Sequence, residues 1–308
     1  MMVIKIFMFA YLFVFINTSC ADEAAKQVHD NANFESGDRR AENVGIEKIK
    51  GYDFDKPDDK WELPKSLKEI SGITWLSNNK LLAIEDIHPI LYELELKGKK
   101  ADILNKIEFK HTDKDKFDFE DLVVKGKTVY ALWSHGVVFK INNWEKADKV
   151  EKTKTWLTKE NNTEGMAYDP VTGNLLIACK NESGLDDEKK SARVVYEFDT
   201  KGDSINSKPF LVINKKDFEK TAGEKVDFYP SAIAVHPITH DIYIISTRTT
   251  KCIAQFNYKG KMMAFSYLDK DLLIQPEGIC FDPEGTMFIS TEGKKGEPPY
   301  ICQFNMKK

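Results

Sequence analysis

The stretch PEGICFDPEGTMFIST (276–291) repeats, with substitutions, TEGMAYDPVTGNLLIAC (163–179) and PSAIAVHPITHDIYIIS (230–246). Two further copies precede them: SGITWLSNNKLLAIED from Ser71 and EDLVVKGKTVYALWSHG from Glu120. The leading residues Ser71, Glu120, Glu164, Ser231 and Glu277 are spaced by 49, 44, 67 and 46 residues. The long interval contains two polar insertions, near 181–190 and 214–225. A regular period of this length points to a repeat architecture.

Each copy reads as the start of a four-stranded unit. The motif is the first strand, and a turn such as DPVTGN (169–174) follows it. The turn residues favour tight chain reversal. The second strand is apolar (LLAI, VYAL, LLIA, IYII, MFIS), and the third follows as ILYELEL, VVFKI, VVYEF, IAQFN or ICQFN. The fourth strand is weaker, as in PFLVI or MAFSYL. Short strands and frequent turns at this period predict an all-β chain of four-stranded β-propeller blades. Alternate positions of the first strand separate a mostly small set (Gly72, Asp121, Gly165, Ala232, Gly278) from a large one (Ile73, Leu122, Met166, Ile233, Ile279). That split suits an innermost strand wedged where space tapers towards an axis. Five first strands are visible, and the fifth unit lacks its fourth strand before the chain stops. DKWELP (59–64) is placed to supply it, which gives five blades and a ring with no open edge. Six blades is the alternative, with 43–60 or an insertion forming a degenerate blade.

The motifs ELPKSLKEISGITW (62–75), FEDLVV (119–124), NTEGMAYDP (162–170) and PEGICFDPEGTMFISTEG (276–293) resemble those of the SdiA-regulated family of bacterial envelope proteins. The resemblance covers about 55–308. It implies a β-propeller in the cell envelope and no defined biochemical role.

The N-terminus differs in kind. MMVIKIFMFAYLFVFINTSC (1–20) carries one basic residue, Lys5, and an apolar run over 6–16 that is short for a membrane span. It has the size of a secretory signal. Cys20 after Thr18-Ser19 resembles a lipobox, although Asn17 stands where Leu is usual. Residues 1–20 are therefore expected to be a lipoprotein signal, with lipid on Cys20. Cleavage after Ala21, which would give a soluble periplasmic or secreted protein, is the alternative, and a retained anchor is the third. Residues 21–45 are polar and poor in large apolar groups, so they read as a flexible tether. A single domain then occupies 46–308. The expected location is the outer membrane, on its periplasmic or surface face.

The 308 residues are 42% hydrophobic and 31% charged, with a formal net charge of −4. That composition supplies a core and no bulk case for nucleic-acid binding. Cys179, Cys252, Cys280 and Cys302 each lie in or beside apolar runs with no CxxC pair, so a zinc cluster is not expected. They read as buried small hydrophobes, and a Cys179–Cys252 disulfide is conceivable in an oxidising envelope.

In a propeller the motif leaders and the ends of the second strands emerge on one face. Ser71, Glu120, Glu164, Ser231 and Glu277 should therefore meet Glu85, Asp86, His88, Ser134, His135, Lys180, Asn181, Thr247, Arg248, Thr291 and Glu292 around one channel mouth. His236 and His240 flank a turn on the opposite face. Three glutamates at one mouth resist joint ionisation and want a cation or basic partners. Calcium bound by Glu120, Glu164 and Glu277 is one solution. The other is structural, with each Glu accepting backbone N–H groups or pairing with Lys180 or Arg248. HExxH, GxSxG and P-loop motifs are absent. Two functions follow as expectations. One is a binding module for a protein, glycan or small molecule, tethered to the membrane by its N-terminal lipid. The other is a calcium-dependent hydrolase of lactones or phosphoesters.

Overall fold

The computed structural model describes residues 48–110, 116–186, 191–216, 218, 226–294 and 296–307. The signal-like segment, Cys20, the 21–45 tether and parts of both insertions lie outside the described residues. Among the described residues no helix is long and apolar enough to cross a membrane.

The chain is all-β. After β1 (Asp59–Glu62), a 3-10 turn at Lys65–Leu67 leads to β2 (Ile70–Ser77), β3 (Lys80–Glu85), β4 (Ile90–Lys97) and β5 (Lys100–Glu108). A second group comprises β6 (Phe119–Lys125), β7 (Thr128–Trp133), β8 (Val137–Asn142) and β9 (Lys149–Lys154). A third holds β10 (Thr163–Tyr168), β11 (Leu175–Cys179), β12 (Arg193–Asp199) and β13 (Ser204–Ile213). A fourth holds β14 (Pro230–Val235), β15 (Ile242–Ser246), β16 (Cys252–Phe256) and β17 (Met262–Tyr267). The chain ends with β18 (Pro276–Phe281), β19 (Met287–Thr291) and β20 (Tyr300–Phe304). Within each group the strands pair in chain order as an antiparallel meander. β1 lies antiparallel on β20, with Asp59 opposite Gln303 and Glu62 opposite Tyr300, and touches β5 through a single parallel pair, Glu62 and Lys100.

The apolar pattern explains how the sheets stack. β11 and β15 are buried along their whole length, so both of their faces are covered. Each core cluster draws its side chains from two neighbouring sheets. Leu82, Ile84 and Leu91 pack with Leu122, Val129 and Phe139, whereas Ala232, Tyr243 and Ile245 pack with Ile279, Ile289 and Cys302. The first strands pack side by side in the order β2, β6, β10, β14, β18, and β18 packs in turn on β2. The outer strands carry the charge: β9 reads KVEKTK and is largely exposed. Charged edges of this kind discourage pairing with another chain.

All four described cysteines are buried free thiols. The Cys179–Cys252 disulfide is not formed: Cys179 belongs to the cluster between the second and third sheets, and Cys252 to that between the third and fourth. Burial pushes the Cys179 and Cys302 thiols up to about 12, so they pack as small hydrophobes.

The expected turn forms at Asp169, whose carboxylate accepts from Val171 N at 3.0 Å and from Thr172 Oγ1 at 2.6 Å. His236 closes a second turn, accepting at Nδ1 from Ile238 N and Thr239 N, and its ring packs edge-on to Phe281.

Gly72 shows how closely the first strands approach. A Cβ there would lie 2.6 Å from the Cα of Asp121 on the next first strand, a clash with backbone that cannot rotate away. Gly72→Ala is expected to destabilise the domain by about 1–3 kcal/mol, the cost of overpacking a tight core. Urea denaturation measures it, and an unchanged midpoint would show that the strands separate freely.

Candidate functional site

The five motif leaders share one backbone feature. In each first strand the pairing register slips at the leader. Ile70 opposes Glu85 and Gly72 opposes Ile84, so Ser71 is the extra residue. The same slip falls between Phe119 and Asp121, Thr163 and Gly165, Pro230 and Ala232, and Pro276 and Gly278. Glu120, Glu164, Ser231 and Glu277 are therefore bulge residues as well. A β-bulge removes one residue from the ladder and re-aims its side chain. Five bulges at equivalent positions turn five leaders out of their sheets at the same end of the stack.

The leaders divide into two kinds. Ser71 Oγ donates to Glu69 O at 3.3 Å, and Ser231 Oγ donates to Pro276 O at 3.2 Å on the next sheet. These two serve as local ties. Glu164 is buried, accepts from Asn162 Nδ2 at Oε1, and pairs at Oε2 with Lys180 Nζ at 3.0 Å. Glu120 and Glu277 are close enough to act electrostatically on the same ammonium. Three carboxyls thus gather around one lysine.

Burial dominates the charge balance here. It raises Glu120 well above the ordinary carboxylate range, and the Glu164 charge raises it further. Glu164 is raised too, by burial, with the Lys180 charge acting against the shift. Burial lifts Glu277 to about 8 despite the lysine. Burial alone would lower Lys180, but Glu164, Glu277 and Glu120 outweigh it and hold its pKa above the usual value. The lysine is thus held in its charged form while burial disfavours ionisation of the acids around it.

A second acidic group adjoins it. Asp86 rises to about 6 through burial and the neighbouring Glu85, and Glu292 to about 7 through burial, Glu69 and Asp86. Glu85 itself is tied into its loop, accepting from Ile87 N at 3.1 Å and His88 N at 2.8 Å. The remaining expected residues are less central. His88 and His135 are exposed, and the His135 ring stacks on Trp133 with centroids 5.2 Å apart. Ser134 Oγ donates to Asp118 at 2.7 Å. Thr291 Oγ1 accepts from Gln275 N at 2.8 Å. Arg248 pairs with none of the leading glutamates: it donates to Asn181 Oδ1 at 3.2 Å and lies over the Tyr229 ring at 4.9 Å.

A cavity of ≈ 860 Å³ opens beside this group, lined by Lys180, Glu277, Asn162, Asn181, Thr247 and Arg248 among others. Its size is within the range of small-molecule sites.

Asp121 was not anticipated as a functional residue. It stands in the small-residue register that the other first strands fill with Gly or Ala, and it is 1% exposed. Its carboxyl accepts from Leu122 N at 2.8 Å and from Met166 N, on the next first strand, at 2.7 Å. Burial raises its pKa well above the usual range, against the effect of those two donors. Asp in a register of Gly and Ala was the available signal. Its role is to tie β6 to β10.

The raised acids set a pH dependence. A carboxyl whose folded pKa lies above its unfolded value binds more protons folded than unfolded in the interval between the two. The stability it contributes is complete below its unfolded pKa and is lost as pH rises through the folded one. The melting temperature is therefore expected to fall between about pH 4.5 and about pH 8, with Glu277 accounting for the upper end. Melting curves across that range check it: Glu277→Gln should flatten the decline above about pH 7, and an unchanged slope would show that Glu277 ionises normally.

The SdiA-regulated family model matches residues 50–295. No curated protein matches the chain. Among solved structures, the glutaminyl cyclase of Myxococcus xanthus is 12% identical with a TM-score of 0.56, covering 82% of this chain and 97% of its own. A luciferin-regenerating enzyme is 11% identical at a TM-score of 0.48, covering 85% and 92%. Virginiamycin B lyase from Staphylococcus aureus is 11% identical at 0.44, covering 81% and 74%. At 12% identity the glutaminyl cyclase shares the fold alone with this chain. With four-stranded sheets stacked face to face and the family match spanning nearly all of the described domain, the chain belongs to the SdiA-regulated family and has a β-propeller-like fold.

Proposed function

We propose that this protein is a five-bladed β-propeller whose last blade is completed by β1. It is held at the envelope membrane, the outer membrane in our reading, by lipid on Cys20, and it acts as a binding module through its channel mouth. The β1–β20 pairing and the return of β18 onto β2 support the closed ring. The observation that carries the binding role is the buried Glu164–Lys180 pair, flanked by Glu120 and Glu277 and open to the adjoining cavity. Burying several ionisable groups at one place costs stability, and a cluster kept at that cost beside a cavity supports a binding role. The lipid anchor rests on the Cys20 pattern alone.

Calcium fits these residues poorly. The Lys180 ammonium already stands among Glu120, Glu164 and Glu277, and a divalent cation would have to displace it. Among the described residues no group of three or more His, Cys, Asp or Glu side chains is arranged to hold a metal ion. The hydrolase reading therefore has less support than the binding one.

Two measurements test the proposal. Mass spectrometry of the mature N-terminus should find a lipid-modified Cys20, and an unmodified terminus beginning elsewhere would remove the anchor. A melting-temperature screen of the full chain against envelope metabolites should give hits that Lys180→Met abolishes. A ligand at 100 times its dissociation constant stabilises by about 2.7 kcal/mol, so hits will be visible. Because Lys180→Met leaves a buried carboxylate unpaired and costs about 3–5 kcal/mol, the double variant Glu164→Gln/Lys180→Met serves as the folded control. Hits retained in both variants would move the site away from the mouth. Calcium titration of chelator-treated protein is expected to leave the melting temperature unchanged. A saturable rise that is lost in Glu164→Gln would favour the hydrolase instead.

A further inference from the structure

The cavity beside the mouth has a charge pattern that the glutamate cluster does not explain. Its lining includes Lys180, Arg248, Lys251, Lys270 and Lys294, against one acid, Glu277. Lys180 is already paired with Glu164 at 3.0 Å. Glu277, lifted to about 8, is largely protonated at neutral pH. Among the described residues the other four cations form no ion pair with a carboxylate: Arg248 donates to Asn181, and Lys294 donates to Gln275 Oε1 at 3.5 Å. The wall facing the cavity is therefore net positive in a chain whose overall charge is −4.

Two local features show that the positive wall is held in place. Lys251 has its pKa lowered by burial and then by Lys294, with Lys270 adding to the shift and Asp271 opposing it, so the neighbouring ammonium groups and burial outweigh the one nearby carboxylate. The Arg248 guanidinium lies over the Tyr229 ring, which also takes Arg193 at 4.4 Å and Lys215 at 4.3 Å. Sharing an aromatic face fixes the plane of a guanidinium while leaving its N–H groups to bind an oxyanion. Between the cations the lining is hydroxyl and amide: Thr247, Thr249, Thr250, Asn162, Asn181 and Gln275. Tyr267 adds a ring that is 45% exposed.

We propose that this cavity binds a small hydroxyl-rich anion, carrying carboxylate or phosphate groups on a sugar-like body, with Arg248, Lys251, Lys270 and Lys294 holding the charge. Threonine and amide groups suit the hydroxyls, and the exposed tyrosine suits a sugar face. The proposal rests on the channel-mouth reading above and adds the chemical class of the ligand.

Isothermal titration of the full chain with trigalacturonate, glucose 6-phosphate and neutral maltotriose tests it. At least one anionic probe should bind and maltotriose should not. Binding should weaken as salt rises from about 50 to about 300 mM, since exposed charges are screened over that range. Lys251→Ala/Lys294→Ala should weaken the anion by about tenfold or more, the effect expected for removing charge-assisted contacts. A preference for trigalacturonate over glucose 6-phosphate would name a uronate ligand, and the reverse a phosphate. Binding of neither anion, or equal affinity in the double variant, would overturn the proposal. Maltotriose binding that is lost in Glu164→Gln/Lys180→Met would keep the mouth as a binding site and overturn the anion assignment alone. Anion binding unaffected by either pair of substitutions would overturn both.

Discussion

The structure depends on how closely the first strands of neighbouring sheets approach one another. Between β2 and β6 there is no room for a single Cβ at Gly72. At Gly165 a Cβ would lie 2.9 Å from Ile233 N, and at Gly278 it would lie 2.4 Å from Ser290 Oγ and 3.1 Å from Ile73 N. Small residues at these positions let the sheets meet at the axis while their large faces fill the space between blades. Hydrophobic burial therefore runs from sheet to sheet rather than through one central core. Neighbouring first strands are joined side by side by Asp121, which accepts a backbone N–H from each of two of them.

That crowding has a consequence at the mouth. Where the first strands begin, each ladder drops one residue into a bulge, and the dropped residue is the one that leads the repeat. Two leaders are serines that return hydrogen bonds to nearby carbonyls. The other three are glutamates, which share Lys180 and are driven towards their neutral forms by burial. The same close packing of first strands thus collects ionisable groups where solvent is restricted. On the neighbouring wall the balance reverses: Arg248, Lys251, Lys270 and Lys294 line the cavity and, among the described residues, form no ion pair with a carboxylate.

The repeat was legible because β-structure writes itself into sequence locally. The alternation of small and large residues at 72–75 or 278–281, the turn residues at 169–174 and the five apolar second strands each reflect contacts within one blade or with its immediate neighbour. The leaders were legible for the same reason, as was the expectation that they share an end of the molecule. The bulges were not, because a register slip depends on the partner strand and leaves no mark in a single segment. Asp121 is the irregular member of a small-residue register, and its tie to Met166 N appears only once β6 and β10 lie side by side.

The sequence by itself determined the repeat, the four-stranded unit and the family resemblance, because each rests on spacing along the chain. Tertiary structure decided the rest. It gave Lys180 to Glu164 and placed Glu120 and Glu277 beside it, sent Arg248 to Asn181 and Tyr229 instead of to a glutamate, and left Cys179 and Cys252 as thiols in separate interfaces. It also brought Lys251, Lys270 and Lys294 to one wall. Charge pairing, proton affinity and cavity lining are set by distances of a few ångströms between residues far apart in sequence, and those distances exist only once the sheets have packed.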